Sequence, residues 1–246
     1  VARAANADLY ENWTDVSGCL MADPRIVRNP EPIRYVTYRE LRELSYMGAS
    51  VLHEDAIFPV RIAGIPTNIR NTNKPEDRGT IICYEAEDYD SDHLITGIAG
   101  HKNFAIINVE KAMMNAELGF GRRLLQGLEE EGISYEHMPS GVDSQCVVVK
   151  EQFLPKDRER KIIAAIKREL NPDFVTIERD LTMLMVVGEG MCYTPGMLAK
   201  ACLALASAGI SMSMVNQGSS EVSFMIAIRS QDRDAAVRAL YKAFFG

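Results

Sequence analysis

Residues 94–246 predict an α+β fold made of two ferredoxin-like βαββαβ units, one nested within the other. A self-match at a fixed offset of 77 residues carries the first half of that prediction. It pairs Gly119 with Gly196, Gly132-Ile133-Ser134 with Gly209-Ile210-Ser211, Gly141 with Gly218 and Asp157 with Asp234, all without a gap. A period this long exceeds that of solenoid repeats and fits a duplicated domain. A strand deficit in the second copy carries the other half.

The elements follow from hydrophobic spacing. Phe104-Ala105-Ile106-Ile107 and Leu181-Thr182-Met183-Leu184 are short strand-like runs, each opening one copy. Gly121 to Glu131 and Met197 to Ala208 have helical spacing, and Ser134-Tyr135-Glu136 begins a second strand after the first of these helices. Cys146-Val147-Val148-Val149 and Val222 to Ile226 are again strand-like. A helix over Arg158 to Leu170 leads to Phe174-Val175-Thr176-Ile177, which completes the first unit as βαββαβ. The corresponding helix of the second copy, Asp234 to Phe245, is followed only by Gly246, which would leave an unpaired sheet edge. Leu94-Ile95-Thr96-Gly97-Ile98-Ala99 belongs to neither copy and is assigned as the missing strand. The first unit (101–179) is thereby inserted into the second (94–100 plus 180–246). Met183 to Met185 and Met212 to Met214 read as core filling.

Composition narrows the function classes. A net charge of -7, with Lys and Arg scattered, leaves no basic field for a nucleic-acid backbone. No apolar run approaches the roughly 20 residues that span a bilayer, and Val1-Ala2-Arg3 is no signal pattern. The expectation is a cytoplasmic protein with no nucleic-acid or membrane partner. Helix-like sequence directly after Val1, which is not Met, suggests a segment removed upstream. The five cysteines, Cys19, Cys83, Cys146, Cys192 and Cys202, are odd in number and widely spaced, and they read as buried apolar residues. His53, His93, His101 and His137 have no metal-site spacing, and Glu129-Glu130-Glu131 reads as a solvated helix face. No nucleophile–base arrangement and no Walker P-loop is present.

In each copy a Gly-containing loop precedes the first helix: Glu117-Leu118-Gly119-Phe120-Gly121 and Tyr193-Thr194-Pro195-Gly196. Free backbone N–H groups at such a helix start suit a carboxylate, and the Glu136 carboxylate suits an ammonium group. Together they match the two ends of a free amino acid. Plain turn geometry explains the glycines equally well.

Several motifs together resemble the aspartate kinase family. Trp13-Thr14-Asp15-Val16-Ser17-Gly18 and Ala22-Asp23-Pro24-Arg25 resemble the nucleotide-binding segment of amino-acid kinases. Ser45 to His53 is similar to the Gly-Ala-x-Val-Leu-His segment, and Pro66 to Thr72 with Gly79-Thr80 is similar to the last kinase strand and its exit. Asn216-Gln217-Gly218-Ser219-Ser220-Glu221 and the duplicated half resemble tandem ACT domains. The resemblance implies that residues 1–83 are the C-terminal part of an α/β kinase domain, and that a nested pair of ACT domains follows.

It further implies ATP contacts through Thr14, Asp15, Asp23 and Arg25, with Mg carried by the nucleotide. Leu20 stands where an aromatic residue is frequent near the adenine, and Ser50 stands where many members have Lys. The family's Lys-Phe-Gly-Gly motif is absent from the chain. Because phosphoryl transfer rests on positioning and on charge stabilisation of the phosphates, no catalytic residue is assigned and the chain alone is expected to be inactive. The implied inhibitor pocket maps to Met114, Phe120, Gly121, Ser134, Tyr135 and Glu136, with Ser140 and Asp143 nearby; for Met114 and Phe120 core packing is the alternative. The inhibitor in such enzymes is lysine or threonine, and Glu136 favours L-lysine. The resemblance also implies a homodimer or larger assembly through the ACT units. The rival reading is a free-standing amino-acid sensor with no kinase behind it, against which Thr14-Asp15 and Asp23-Pro24-Arg25 speak.

Overall fold

The computed structural model describes residues 1–48, 54–84, 94–192 and 194–246. Ser50, His53, His93 and Tyr193 lie outside the described residues. The described chain is a mixed α/β structure in two compact units, one of Val1–His101 with Met183–Gly246 and a smaller one of Lys102–Thr182.

The larger unit opens with a four-stranded sheet. Its strands are β1 (Tyr10–Thr14), β2 (Tyr35–Thr37), β3 (Thr67–Asn71) and β4 (Thr80–Cys83), in the order β1-β3-β4-β2. β1 runs parallel to β3 and β2 parallel to β4, while β3 and β4 are antiparallel. Helix α1 (Tyr38–Tyr46) starts at a capping box, in which the Thr37 hydroxyl accepts the Glu40 N–H and the Glu40 carboxylate accepts the Thr37 N–H. Helix α2 spans Glu54–Ile62 and carries Pro59. The start of the chain is a turn, with the Ala5 N–H bonded to the Val1 carbonyl, and not the helix that its composition suggests.

The repeats supply the remaining elements: β5 (Gly97–Glu110), α3 (Phe120–Glu130), β6 (Ser144–Lys150), α4 (Lys156–Leu170), β7 (Phe174–Val187), α5 (Met197–Ser207), β8 (Met212–Gln217), β9 (Ser223–Arg229) and α6 (Arg233–Phe245). In the smaller unit β6 pairs antiparallel with Phe104–Glu110 of β5, and the Asp173 N–H donates to the Glu110 carbonyl where β7 begins. In the larger unit the order is β5-β7-β9-β8, with β8 and β9 antiparallel. The Thr96 N–H donates to the Val187 carbonyl at 2.7 Å. Ile95 and Ile98 share a core with Leu184, Phe224, Ile226 and Leu240, onto which Ile26 and Val27 also pack. The smaller unit has its own core, including Ile107, Leu124, Val147, Ile162 and Leu170.

Three further expectations need correction. Leu94–Ala99 and Phe104–Ile107 are not separate strands; one continuous β5 runs from Gly97 to Glu110, and β7 likewise joins Phe174–Ile177 to Leu181–Leu184. Ser134-Tyr135-Glu136 is not a regular strand. The segment touches β6 through isolated bridges at His137–Val148 and Ser140–Gln145, because Pro139 has no N–H to donate to a ladder. Of the cysteines Cys19 alone is buried, and the other four are partly exposed.

Candidate functional site

Asp23 and Arg25 meet at a cavity of about 650 Å³ in the larger unit. The turn at Asp23 is self-stabilised: its carboxylate accepts the Arg25 backbone N–H at 2.9 Å and the Arg25 guanidinium at 2.8 Å and 3.0 Å. Those bonds, ahead of the charge of Arg233 3.5 Å away, hold the Asp23 carboxyl below the usual carboxylate range. Arg25 is itself exposed. Much of the cavity wall is apolar, formed by Ile33, Val36, Leu41, Leu44 and Ile98, and Leu20 and Gly18 also line it. Gly18 cannot carry a side chain, since at φ 100° a Cβ would strike Thr80. Thr80 is fixed there because its hydroxyl accepts the Cys19 N–H and donates to the Ile33 carbonyl.

Thr14 and Asp15 are placed at the end of β1 and do not line this cavity. The Thr14 hydroxyl donates to Asp15 at 3.2 Å, and its carbonyl accepts the Thr72 N–H and hydroxyl. Asp15 is exposed. Burial pushes the neighbouring Cys19 thiol up to about 11.

The second candidate site lies in the smaller unit, where β5 turns into α3. Gly119 takes a left-handed conformation, φ 73°, and no side chain caps the helix. The turn is held instead by ions: Glu117 pairs with Lys111 at 2.5 Å and with Arg123. Its carboxyl sits below the ordinary range, chiefly through the Lys111 bond. Lys111 also donates to the Leu170 carbonyl and lies 6.0 Å from the Phe120 ring centre. Asp143 joins this loop through its carbonyl, which accepts the Lys111 N–H at 2.9 Å, while its side chain is exposed.

Met114 and Phe120 are buried in the core of this unit, as the packing alternative has it. Ser134, Tyr135 and Ser140 are exposed. The Glu136 side chain is only 10% exposed and lies 3.6 Å from Lys150, so a cation already faces it. Two residues missed in the sequence complete the picture, Lys150 and Gln145. Gln145 is 7% exposed with its Oε1 unpartnered, and a Cβ on Gly121 would come within 3.2 Å of its amide. Its signal was available: on β6 the alternation puts Gln145 on the same face as the buried Val147 and Val149, a polar side chain in an apolar row.

Among the described residues no group of His, Cys, Asp and Glu could hold a metal ion, and no helix is long and apolar enough to cross a membrane.

Residues 1–71 match the amino acid kinase family, and residues 184–244 match the ACT domain. All of the chain aligns with aspartokinase 3 of Bacillus subtilis, at 43% identity over 245 residues and 54% of that protein's length. The chain is homologous to the aspartokinases. The crystal structure of Clostridium acetobutylicum aspartate kinase superposes on 99% of it with a TM-score of 0.93 and 50% identity, covering 56% of that chain. Escherichia coli aspartokinase III shares the fold over all of it and 54% of that chain, at 21% identity and TM-score 0.81 in complex with aspartate and ADP, and at 20% and 0.79 in complex with lysine and aspartate. The chain thus spans about half the length of the aspartokinases it matches.

Proposed function

We propose that this chain is the nucleotide-facing end of an aspartate kinase together with its feedback-regulatory region. The observation that carries this reading is the order of two matches in one chain, amino acid kinase over 1–71 and ACT domain over 184–244. The intact enzyme transfers the γ-phosphoryl of MgATP to the side-chain carboxylate of L-aspartate, giving 4-phospho-L-aspartate at the entry to lysine, threonine and methionine synthesis in the cytoplasm. Thr14, Asp15, Asp23 and Arg25 are the ATP contacts of this chain. The apolar wall beside Asp23 suits a nucleobase, and the exposed Arg25 guanidinium suits a phosphate. Asp15 is an exposed carboxylate of the kind Mg accepts beside phosphate oxygens. Bound Mg neutralises charge on the phosphates during transfer.

The regulatory region is read as two ACT units, 101–179 nested within 94–100 plus 180–246. The bond from Thr96 to Val187 and the core shared by Ile95, Ile98 and Leu184 support the nesting. The effector is an amino acid, L-lysine in preference to threonine, held at the first unit by the α3 start at Phe120 and Gly121 with Glu136. Met114, Ser134, Tyr135, Ser140 and Asp143 form the surround. Paired ACT units of two chains make the dimer, and the effector acts by preferring one arrangement of that dimer.

A hydroxamate assay with MgATP and aspartate tests the reading. This chain alone should form no acyl phosphate above background, and joining it to an upstream segment carrying Lys-Phe-Gly-Gly should restore turnover. Turnover by the chain alone contradicts the division of labour, and no turnover by the joined protein contradicts the kinase assignment.

A further inference from the structure

Glu40 is the charged residue that this fold buries most deeply among those described, at 1% exposed. Three stretches of chain far apart in sequence donate to its carboxylate. The Thr37 N–H reaches Oε2 at 2.8 Å, the Thr96 hydroxyl reaches Oε1 at 2.5 Å, and the Glu189 N–H reaches Oε1 at 2.8 Å. A capping box needs only the first of these. The other two tie the start of α1 to the segment that enters β5 and to the turn that follows β7.

That turn, Gly188–Cys192, is clamped from both sides. A Cβ on Gly188 would lie 2.7 Å from the Ile95 Cα, and one on Gly190 would lie 2.9 Å from the Leu94 Cα, so the two backbones approach as only glycine permits. From the other side the Thr37 hydroxyl donates to the Glu189 carboxylate at 3.1 Å, and Arg39 lies 3.8 Å from it. One turn further along α1, Glu43 accepts from the Ser223 hydroxyl of β9. The repeat offset equates Gly188–Cys192 with Lys111–Asn115 of the first copy, whose loop is braced by ions of its own at Glu117. Equivalent loops thus have different partners: the second copy spends its loop on α1.

The rest of α1 leads to the cavity. Leu41 and Leu44 form its wall, and Met47 and Gly48, just past the helix, line it together with Asp23 and Arg25. We propose that Glu40 is a positioning residue that couples the Gly188–Cys192 turn of the second repeat to helix α1, and through α1 to the cavity presenting Asp23 and Arg25. The nucleotide and the regulatory turn then bias the same rigid element, which is the physical requirement for linkage between them. This inference rests on the nucleotide reading of the cavity given above.

The test is amide hydrogen exchange on the kinase that carries this chain, with MgADP as the probe. MgADP should slow exchange at Glu189–Cys192 by about fivefold or more, the lower end of ordinary allosteric coupling. Glu40→Gln and Thr96→Val should remove that slowing while MgADP still protects residues 14–25. Thr96→Ser, which keeps the hydroxyl, should retain it. A merely structural Glu40 would speed exchange equally with and without MgADP and leave the ratio intact, which overturns the proposal. It is equally overturned if wild-type protein shows protection of residues 14–25 and none at the turn. If MgADP protects neither segment, the nucleotide reading itself falls, and the coupling falls with it.

Discussion

Asn103 and Asp180 occupy equivalent places 77 residues apart, each as a left-handed residue inside a 14-residue strand. Their φ angles are 71° and 57°, and each lies within three residues of a boundary between the two compact units. Gly119 and Gly196, at 73° and 86°, and Gly132 and Gly209, at 66° and 70°, repeat the same correspondence. The duplication is therefore written in backbone conformation as well as in residue identity. Asn and Asp enter the left-handed region more readily than other side chains, which suits them to these two positions.

That conformation predicts a graded response at both positions. Asn103→Gly and Asp180→Gly should be neutral or slightly stabilising in urea unfolding. Asn103→Val and Asp180→Val should each destabilise by about 1–3 kcal/mol, because a β-branched residue is strained at positive φ. Equal costs for Val and Gly would show that the left-handed geometry is not what selects these residues.

Gly188 and Gly132 make a second contrast. At Gly188 an added Cβ collides with the backbone of Leu94 and Ile95, which has no rotamer to escape into. At Gly132 nothing lies within 4 Å, and the cost is the left-handed φ alone. Gly132→Ala should cost about 1 kcal/mol. Gly188→Ala should reach or exceed the upper end of the roughly 1–3 kcal/mol typical of overpacking, and should broaden the unfolding transition of the larger unit. Denaturant midpoints of the two variants decide the matter.

The parts of this fold that follow from period were legible in the sequence, and the parts that follow from partners were not. Leu124, Leu128, Ile162 and Ile166 announce α3 and α4 by spacing, and all four are in the core. The break at Pro139 was also written in the sequence, yet the repeat argued for a strand there and the missing N–H decided otherwise. Asp23 and Arg25, singled out by their motif, line the cavity, whereas Thr14 and Asp15, from the same motif set, stand apart from it. Glu40 was readable only as far as the Thr37-x-x-Glu40 capping pattern. Its bonds to Thr96 and Glu189 depend on long-range packing that no local spacing encodes.

Acid should unfold the chain partly through two carboxylates whose pKa values are lowered in the folded state, Asp23 by Arg25 and Glu117 by Lys111. Each contributes stability above its unfolded pKa, near 3.8 for Asp and 4.5 for Glu. That stability is lost as pH falls through the lower folded value. Urea midpoints should therefore drop steeply below about pH 4. Arg25→Ala and Lys111→Met should each flatten this acid limb while changing the slope above about pH 6 little. An unchanged limb in both variants would mean that neither pair contributes measurably, as holds for many exposed ion pairs.

The proposed effector site offers the sharpest separation of roles, because Gln145 is buried with an unsatisfied oxygen. If Gln145 were only a core residue, Gln145→Leu would remove an unpaired polar group and stabilise the unit by about 1 kcal/mol with no other consequence. If it faces a ligand held at Gly121, the same change should stabilise the apo protein and still weaken lysine binding in calorimetry. Glu136→Gln keeps size and deletes charge, and loss of one charge-assisted bond should weaken lysine by roughly tenfold. Lys150 sets a competing prediction: its ammonium lies 3.6 Å from Glu136 in the free protein, so Lys150→Met should leave the carboxylate free for the ligand and tighten lysine. Threonine should bind more weakly than lysine throughout. Full lysine affinity in both Gln145→Leu and Glu136→Gln would return these residues to ordinary core and surface, and tighter binding of threonine than of lysine would reverse the choice of effector.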